Sequence, residues 1–304
     1  MTSELPADLI QFSGNGNIQR AGRYEWSSSC PYCGGEDRFR MFAKSERGNA
    51  RYWCRVCGRR GFADEGGVED IAEARARRME WEARRAAERQ EKIEKLQKDA
   101  YWRGWHDAMT ATGRELWSSR GLPGDAQDWL ELGYTDSPPA GGSPALTIPY
   151  HSDSWDVVNL QWRLIQPDET GKYRNTPGLP LGAYLTDPKP SSKNMLVVEG
   201  AIKSAVVWWR LSVVAGLDYY VVGIPSSTPS AEVMEHVSGM DYDRVYVMTD
   251  PDTYHGSSPP AKRVGGWFDE PLYVRLPAKP DDLLNEGWSA RDLDAFIRQA
   301  TYNV

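Results

Sequence analysis

Two groups of residues have the types and spacing to do chemistry. The first is a set of carboxylates. Met195-Leu196-Val197-Val198 runs straight into Glu199-Gly200, and Val245-Tyr246-Val247-Met248 runs into Thr249-Asp250-Pro251-Asp252. A short apolar run rich in Val reads as a strand buried on both faces. Between the two runs lie a helix-like stretch at 202–211 and a third apolar run at 219–224. Strand, helix, strand, strand implies right-handed crossovers and a parallel sheet. Such sheets bind ligands at the carboxyl ends of their strands, so Glu199, Asp250 and Asp252 are expected to converge on one edge. Three clustered carboxylates need a cation to stay ionised together. Hard oxygen donors of this kind suit Mg2+ or Mn2+. The plainer alternative is that each acid caps a strand end or a helix start.

The second group is a set of thiols. Cys30-Pro31-Tyr32-Cys33 and Cys54-Arg55-Val56-Cys57 form a C-x2-C-x20-C-x2-C pattern with no cysteine left over. Two thiolate pairs on tight turns give the tetrahedral all-cysteine site that Zn2+ prefers. With every ligand supplied by the protein, one zinc per chain would fold the module rather than react. The paired spacing argues against four unrelated buried cysteines.

The loop between the pairs carries a binding signal. Asp37-Arg38-Phe39-Arg40-Met41-Phe42 and Arg51-Tyr52-Trp53 alternate apolar and basic residues, as two half-buried strands with one solvated face would. Residues 20–60 hold ten Lys or Arg against four acids, in a chain whose net charge is −7. Arginine beside exposed rings is the chemistry of single-stranded nucleic acid: phosphates on guanidinium, bases on aromatic faces. Arg38, Arg40, Arg51, Trp53 and Arg55 are the candidates, with Phe39, Tyr52 and Trp53 alternatively forming the module's own core.

These sites need elements to position them. A chain of 304 residues with 40% apolar content holds two or three domains and a substantial core. No Gly or Pro occurs from Val68 to Arg103, where Glu, Arg, Ala and Lys dominate. That composition predicts one long solvated helix, or two with a soft break, acting as a semi-rigid spacer. Residues 114–190 read as an ordinary alpha+beta lobe: a helix from Arg114, a second at 124–132, then strands at 146–150, 155–165 and 172–176. The expected fold is therefore multidomain, α+β joined to α/β: a zinc ribbon at 20–67, a charged helical linker at 68–110, a lobe at 111–192 and a parallel-sheet domain at 193–304. There is no basic-then-apolar leader and no stretch long enough to span a bilayer. A cytoplasmic protein with no membrane partner is expected.

The 193–285 pattern, Glu-Gly after one strand and Asp-x-Asp after another, resembles the TOPRIM domain of DnaG-type primases, topoisomerases, recombination mediators and some nucleases. Cys30-Pro-Tyr-Cys-Gly-Gly-Glu-Asp-Arg-Phe-Arg and Tyr52-Trp-Cys-Arg-Val-Cys-Gly resemble the zinc-binding domain of phage and bacterial primases. Arg120-Gly121, Leu132-Gly133-Tyr134, Gln161-Trp162-Arg163 and Lys172-Tyr173-Arg174-Asn175-Thr176 resemble, in order, the N-terminal half of the DnaG RNA-polymerase domain. In that family a Gly stands where Trp162 does, and a Ser where Thr176 does. The resemblance spans most of 23–285 in the family's order. It implies a DNA primase that makes short RNA primers on single-stranded DNA from ribonucleoside triphosphates, in a prokaryotic or phage-infected cell. It implies that the ribbon recognises the template's initiation sequence. It further implies that Arg163, Lys172 and Asn175 face the catalytic groove. Glu199 would ligate a metal or act as base, with Asp250 and Asp252 holding metals that bridge the triphosphate.

Two positions depart from the family. Lys203 stands four residues after the Glu where an Asp is usual. In Lys279-Pro280-Asp281-Asp282-Leu283 the first Asp of an Asp-Pro-Asp has become Lys279, leaving Asp281 as the matched ligand. Either fewer metals bind, or the lysines contact triphosphate directly, or the site is inactive. No G-x-x-x-x-G-K-[ST] occurs, so a replicative helicase is expected to be a separate protein. Two rival readings remain: a non-catalytic zinc-finger and TOPRIM recombination mediator, and a TOPRIM nuclease. The mediators lack the 114–190 lobe and are not built around an Asp-Arg-Phe-Arg loop.

Overall fold

A computed structural model describes residues 9, 18–44, 49–62, 71–188, 190–256 and 258–302, with backbone only at 71–78. The expected ribbon boundary at 67 and the basic residue Arg47 lie outside the described residues. The chain divides into two compact units, Met1–Gln90 and Glu91–Val304.

The first unit is a five-stranded antiparallel meander. Its strands are β1 (Gln19–Gly22), β2 (Glu25–Cys30), β3 (Gly34–Phe42), β4 (Arg51–Cys54) and β5 (Arg60–Phe62), in that spatial order. The pleat sorts the sequence alternation onto two faces. Phe39 and Met41 point inward with Trp26, Cys30, Cys54 and Leu9. Arg40 lies opposite Trp53, and Phe42 opposite Arg51, on the other face. The helix Ile71–Asp99 follows. It ends where Ala100 takes a left-handed conformation (φ 46°), and a second helix, Tyr101–Asp107, sets off from there. The break lets Leu96 and Trp102 both be buried.

The second unit carries two sheets. β6 (Gly133–Thr135), β7 (Ala145–His151), β8 (Val157–Asp168) and β9 (Gly171–Asn175) form an antiparallel meander with β9 at its edge. The other sheet runs β10 (Tyr184–Leu185), β12 (Tyr220–Ile224), β11 (Asn194–Glu199), β13 (Arg244–Met248) and β14 (Leu272–Tyr273). The pairings of β11 with β12 and β13, and of β13 with β14, are parallel, while β10 adds an antiparallel edge. The helix Ala201–Trp208 continues as one π-helical stretch, Trp209–Val214. The helix Ala231–Ser238, not foreseen from sequence, makes the second crossover.

One continuous core joins the lobe to this sheet. Trp117, Leu122, Leu132, Leu146, Ile148 and Tyr150 pack with Leu196, Val198, Val206 and Met248. Each fully buried aliphatic side chain contributes roughly 1.5–3 kcal/mol. The two sheets are thereby fixed against each other, and so is whatever lies between their edges. Among the described residues, no helix is long and apolar enough to cross a membrane.

Candidate active site and nucleic-acid interface

The strand order decides where the acids go. β11 leads on to β12 on one side of it, whereas its other neighbour, β13, leads on to β14 on the far side, so the chain leaves these two adjacent strands in opposite directions. That reversal opens a crevice outside the carboxyl ends of β11 and β13. Val198 is in register with Met248, which brings Glu199 and Asp250 to adjacent ends. Gly200 makes the sharp exit from β11. It has φ 86° and ψ 142° and donates its N–H to Ile224 O at 2.7 Å. A side chain there would be strained in the left-handed region, and its Cβ would press on Lys203 Cε at 3.3 Å. The capping alternative fails for both acids. Gly200, not Glu199, is the N-cap of Ala201–Trp208, and Asp250 makes no side-chain cap on the short 3-10 turn Pro251–Tyr254.

Glu199, Asp250, Lys203, Asp281, Arg163 and Lys172 all line one cavity of about 300 Å3, together with Arg120, Lys279 and Asp282. Arg163, its cross-strand partner Tyr173 and the neighbouring Lys172 on the edge strand β9 line the same cavity as the acidic strand ends. Two predicted residues are not in the cavity wall. Asp252 is exposed on the turn after Asp250, although its charge still acts on Glu199. Asn175 accepts a hydrogen bond from Gln161 Nε2 at 3.1 Å. Lys279, flagged in the sequence as a departure that could reach triphosphate, is in the wall, whereas Arg120 and Asp282 were not among the sequence candidates. Arg120 precedes Gly121, which has φ 85° and lies so close to Asn285 that a Cβ would meet its Oδ1 at 2.5 Å. Only glycine fits that turn, and the turn aims Arg120 into the cavity.

The electrostatics are crowded. Burial pushes the Glu199 carboxyl above the usual range, helped by Asp250 and opposed by Lys203. Burial also raises Asp281, with Asp282 adding to it. Burial lowers Lys172, and the neighbouring charges of Lys279 and Arg163 lower it further. Lys203 Nζ donates to Asp250 Oδ1, while Lys279 Nζ lies 3.7 Å from Asp250 Oδ2. By contrast, Glu199 Oε2 and Asp281 Oδ1 are buried with no hydrogen-bond partner. Buried oxygens of this kind are costly unless a cation or water meets them. Each of these two oxygens is thus a candidate donor to a divalent ion of the Mg2+ kind, which takes one or two carboxylates and completes its shell with water and phosphate. Asp250, with ammonium groups on both oxygens, offers no such donor. Among the described residues, the four predicted carboxylates form no cluster of three donors close enough for one ion.

The four cysteines do form such a cluster. Their sulfurs all lie within 4.8 Å of one another. Cys30 and Cys57 are 3.9 Å apart and Cys33 and Cys54 3.5 Å apart. A tetrahedron of Zn–S bonds needs sulfurs about 3.8 Å apart, so the donor set fits Zn2+. Native mass spectrometry should find one zinc per chain. Chelation should strip hydrogen-exchange protection from residues 19–62 and leave 91–302 protected. Protection surviving in zinc-free protein would show that the metal is not structural.

The solvated face of this sheet carries Arg40, Phe42, Arg51, Trp53, Arg60 and Phe62 in cross-strand register. Trp53 is 45% and Phe62 46% exposed, while Phe39 is fully buried. The aromatic set is thus divided: Phe39 is core, Tyr52 stacks on it at 5.2 Å, and Trp53 is available to a ligand. Arg51 lies over the Phe42 ring at 5.0 Å. Arg40 is tied to Glu25 at 3.3 Å and Asp37 at 3.5 Å, and Arg55 to Asp37 at 3.7 Å. Arg38 is half-buried.

Residues 25–66 match the family described as the zinc-binding domain of primase-helicase. No curated protein sequence matches the chain. The Aquifex aeolicus primase structure, comprising zinc-binding and RNA polymerase domains, aligns over 94% of this chain and 81% of that one, with a TM-score of 0.55 and 17% identity. The DnaG primase catalytic domain bound to single-stranded DNA aligns over 71% and 83%, at 0.51 and 16%. The E. coli primase catalytic core aligns over 69% and 79%, at 0.51 and 17%. The chain has the DnaG primase fold.

Within that fold the departures acquire positions. Trp162, where the primase pattern has Gly, turns away from Arg163 and is buried with Leu96, Trp102 and Leu164. It fills the back of the primase sheet and leaves the cavity side untouched. Lys203 and Lys279, where the primase pattern has acids, both turn into the cavity and meet at Asp250.

Proposed function

We propose that this protein is a DNA primase: a TOPRIM-type nucleotidyltransferase that joins ribonucleotides on a single-stranded DNA template, with 20–67 as template-recognition module, 68–110 as linker, and 111–192 and 193–304 as the two halves of the catalytic region. The observation that carries this reading is the cavity in which the strand-end acids Glu199 and Asp250 face the basic strand pair of Arg163 and Lys172. Primer synthesis needs a 3'-hydroxyl to attack an α-phosphate while pyrophosphate leaves. A divalent ion bound to Glu199 and Asp281 would supply Lewis acidity to that attack. Arg163, Arg120 and Lys172 neutralise phosphate charge. In the alternative role, with the ion on Asp281 and off Glu199, the Glu199 carboxylate takes the hydroxyl proton once ionised. The ribbon face of Arg51 and Trp53 holds the template by phosphate contact and stacking. The DNA-bound DnaG relative supports the choice of template.

The test is direct. The protein is incubated with single-stranded DNA, labelled ribonucleotides and Mg2+ or Mn2+, and the products are resolved by length. Short template-dependent oligomers are expected. DNA binding without synthesis would replace the primase by a binding protein, the reading that the lysine-paired Asp250 favours second. Template cleavage would make it a nuclease.

A further inference from the structure

Asp250 is the best-placed acid in the cavity, and both of its oxygens face lysine nitrogens. Lys203 donates to Oδ1 and Lys279 lies 3.7 Å from Oδ2. Two ammonium groups bring one carboxylate the same charge as a single divalent ion. Neither lysine is where helix stability would place it. Lys203 is the third residue of Ala201–Trp208 and Lys279 is the N-cap of Pro280–Asn285. Both sit at the positive pole of a helix, where acids are favoured and cations are not. They also line the cavity beside Lys172, which burial lowers and the charges of Lys279, Arg163 and Lys203 lower further. An anion drawn into the cavity would relieve all three conflicts at once.

We propose that Lys203 and Lys279 take the place of a divalent ion at Asp250, and that the cavity receives the polyphosphate tail of a nucleotide directly on their ammonium groups. Each ammonium has three N–H donors, and contact with Asp250 uses one. The remaining donors point to phosphate oxygens with the carboxylate as their fixed anchor. Lys172, Arg163 and Arg120 complete the cationic wall. The identity of the nucleotide rests on the primase reading, whereas the anchoring of polyphosphate without metal at Asp250 does not. Any divalent ion the site uses is then held by the unpartnered oxygens of Glu199 and Asp281, and Asp250 is a positioning residue for the lysines.

Two measurements on zinc-loaded full-length protein test this. Inorganic tripolyphosphate, titrated calorimetrically with no added Mg2+, should bind. Replacing both lysines by Met should weaken that binding by roughly tenfold or more, the effect of losing charge-assisted hydrogen bonds. The Lys203→Arg, Lys279→Arg pair should retain binding, which separates lost charge from lost fold. Bound Mn2+ counted by paramagnetic resonance should be unchanged by Asp250→Asn and should rise by one in Lys203→Asp, Lys279→Asp protein. Binding of tripolyphosphate only when Mg2+ is present would overturn the proposal, as would loss of a bound Mn2+ with Asp250→Asn. Protein that binds tripolyphosphate as expected but makes no oligomers removes the primase reading and leaves this inference standing. Synthesis with an Asp250-dependent Mn2+ does the reverse.

Discussion

Glu199→Gln should abolish oligomer synthesis and raise the melting temperature in the same protein. Glu199 ends β11 inside the cavity, and its Oε2 is buried without a partner. Removing a general base or a metal carboxylate costs roughly 10²–10⁴-fold in rate. The stability effect has the opposite sign. Burial holds the Glu199 proton in the folded protein to a higher pH than in the unfolded chain. Between the ordinary glutamate value and the raised one, the folded state binds more protons, so stability falls as pH rises through that window. Above it, the ionised carboxylate is a standing cost that neutral glutamine lacks. The variant's advantage in melting temperature should therefore be absent in acid and grow as pH rises above the usual carboxylate range. Wild-type activity, if it needs the ionised form, should rise over the same window. Full synthesis by Glu199→Gln would remove the active-site assignment. A variant less stable than wild type at every pH would show that burial is not what raises the group.

The second large effect is expected on the ribbon. Trp53→Ala combined with Arg51→Ala should weaken binding to single-stranded DNA by roughly 5- to 150-fold, since stacking on one ring contributes about 1–3 kcal/mol per base. The slope of log affinity against log salt should flatten by about 0.7, because one phosphate is no longer neutralised by Arg51. Both side chains are exposed and outside the Phe39–Met41 core, so circular dichroism and zinc content should not change. Arg40→Ala should do less, because Arg40 is already neutralised by Glu25 and Asp37. The double variant should lose initiation on a preferred template yet extend a supplied dinucleotide. Unchanged DNA affinity, measured by fluorescence anisotropy, would move template recognition off this face.

The apolar runs that stop at Glu199 and before Asp250 were legible because a strand buried on both faces leaves a continuous signature, and strand order then fixes where its end lies. The cysteine spacing was legible because four ligands of one ion must be paired on turns. Alternation in Arg38–Phe42 gave the two faces of the ribbon but not which arginines were spent on Glu25 and Asp37, since that depends on the cross-strand partner. Other features left no local signal. The helix break at Ala100 carries neither Gly nor Pro and comes from burying Leu96 and Trp102. Asp252 looked equivalent to Asp250, yet the turn after Pro251 carries it out of the cavity wall. Arg120 entered the cavity from a distant helix end, through a glycine whose conformation only the packed structure requires. The pairing of both lysines with one aspartate is likewise a property of three separated segments meeting.

The wall of Arg120, Arg163, Lys172, Lys203 and Lys279 does not distinguish phosphate arriving from phosphate leaving. Pyrophosphate keeps most of the charge that drew the triphosphate in, and it has no base or sugar to hinder its staying. In a metal-bridged site the product can depart as a neutralised ion pair. Lysines are bonded to the chain and cannot leave with it. Turnover would then be set by clearance of pyrophosphate rather than by bond formation, and the reverse reaction would compete at each added nucleotide. A primase built this way would depend on hydrolysis of pyrophosphate by another enzyme to keep its short products growing forward.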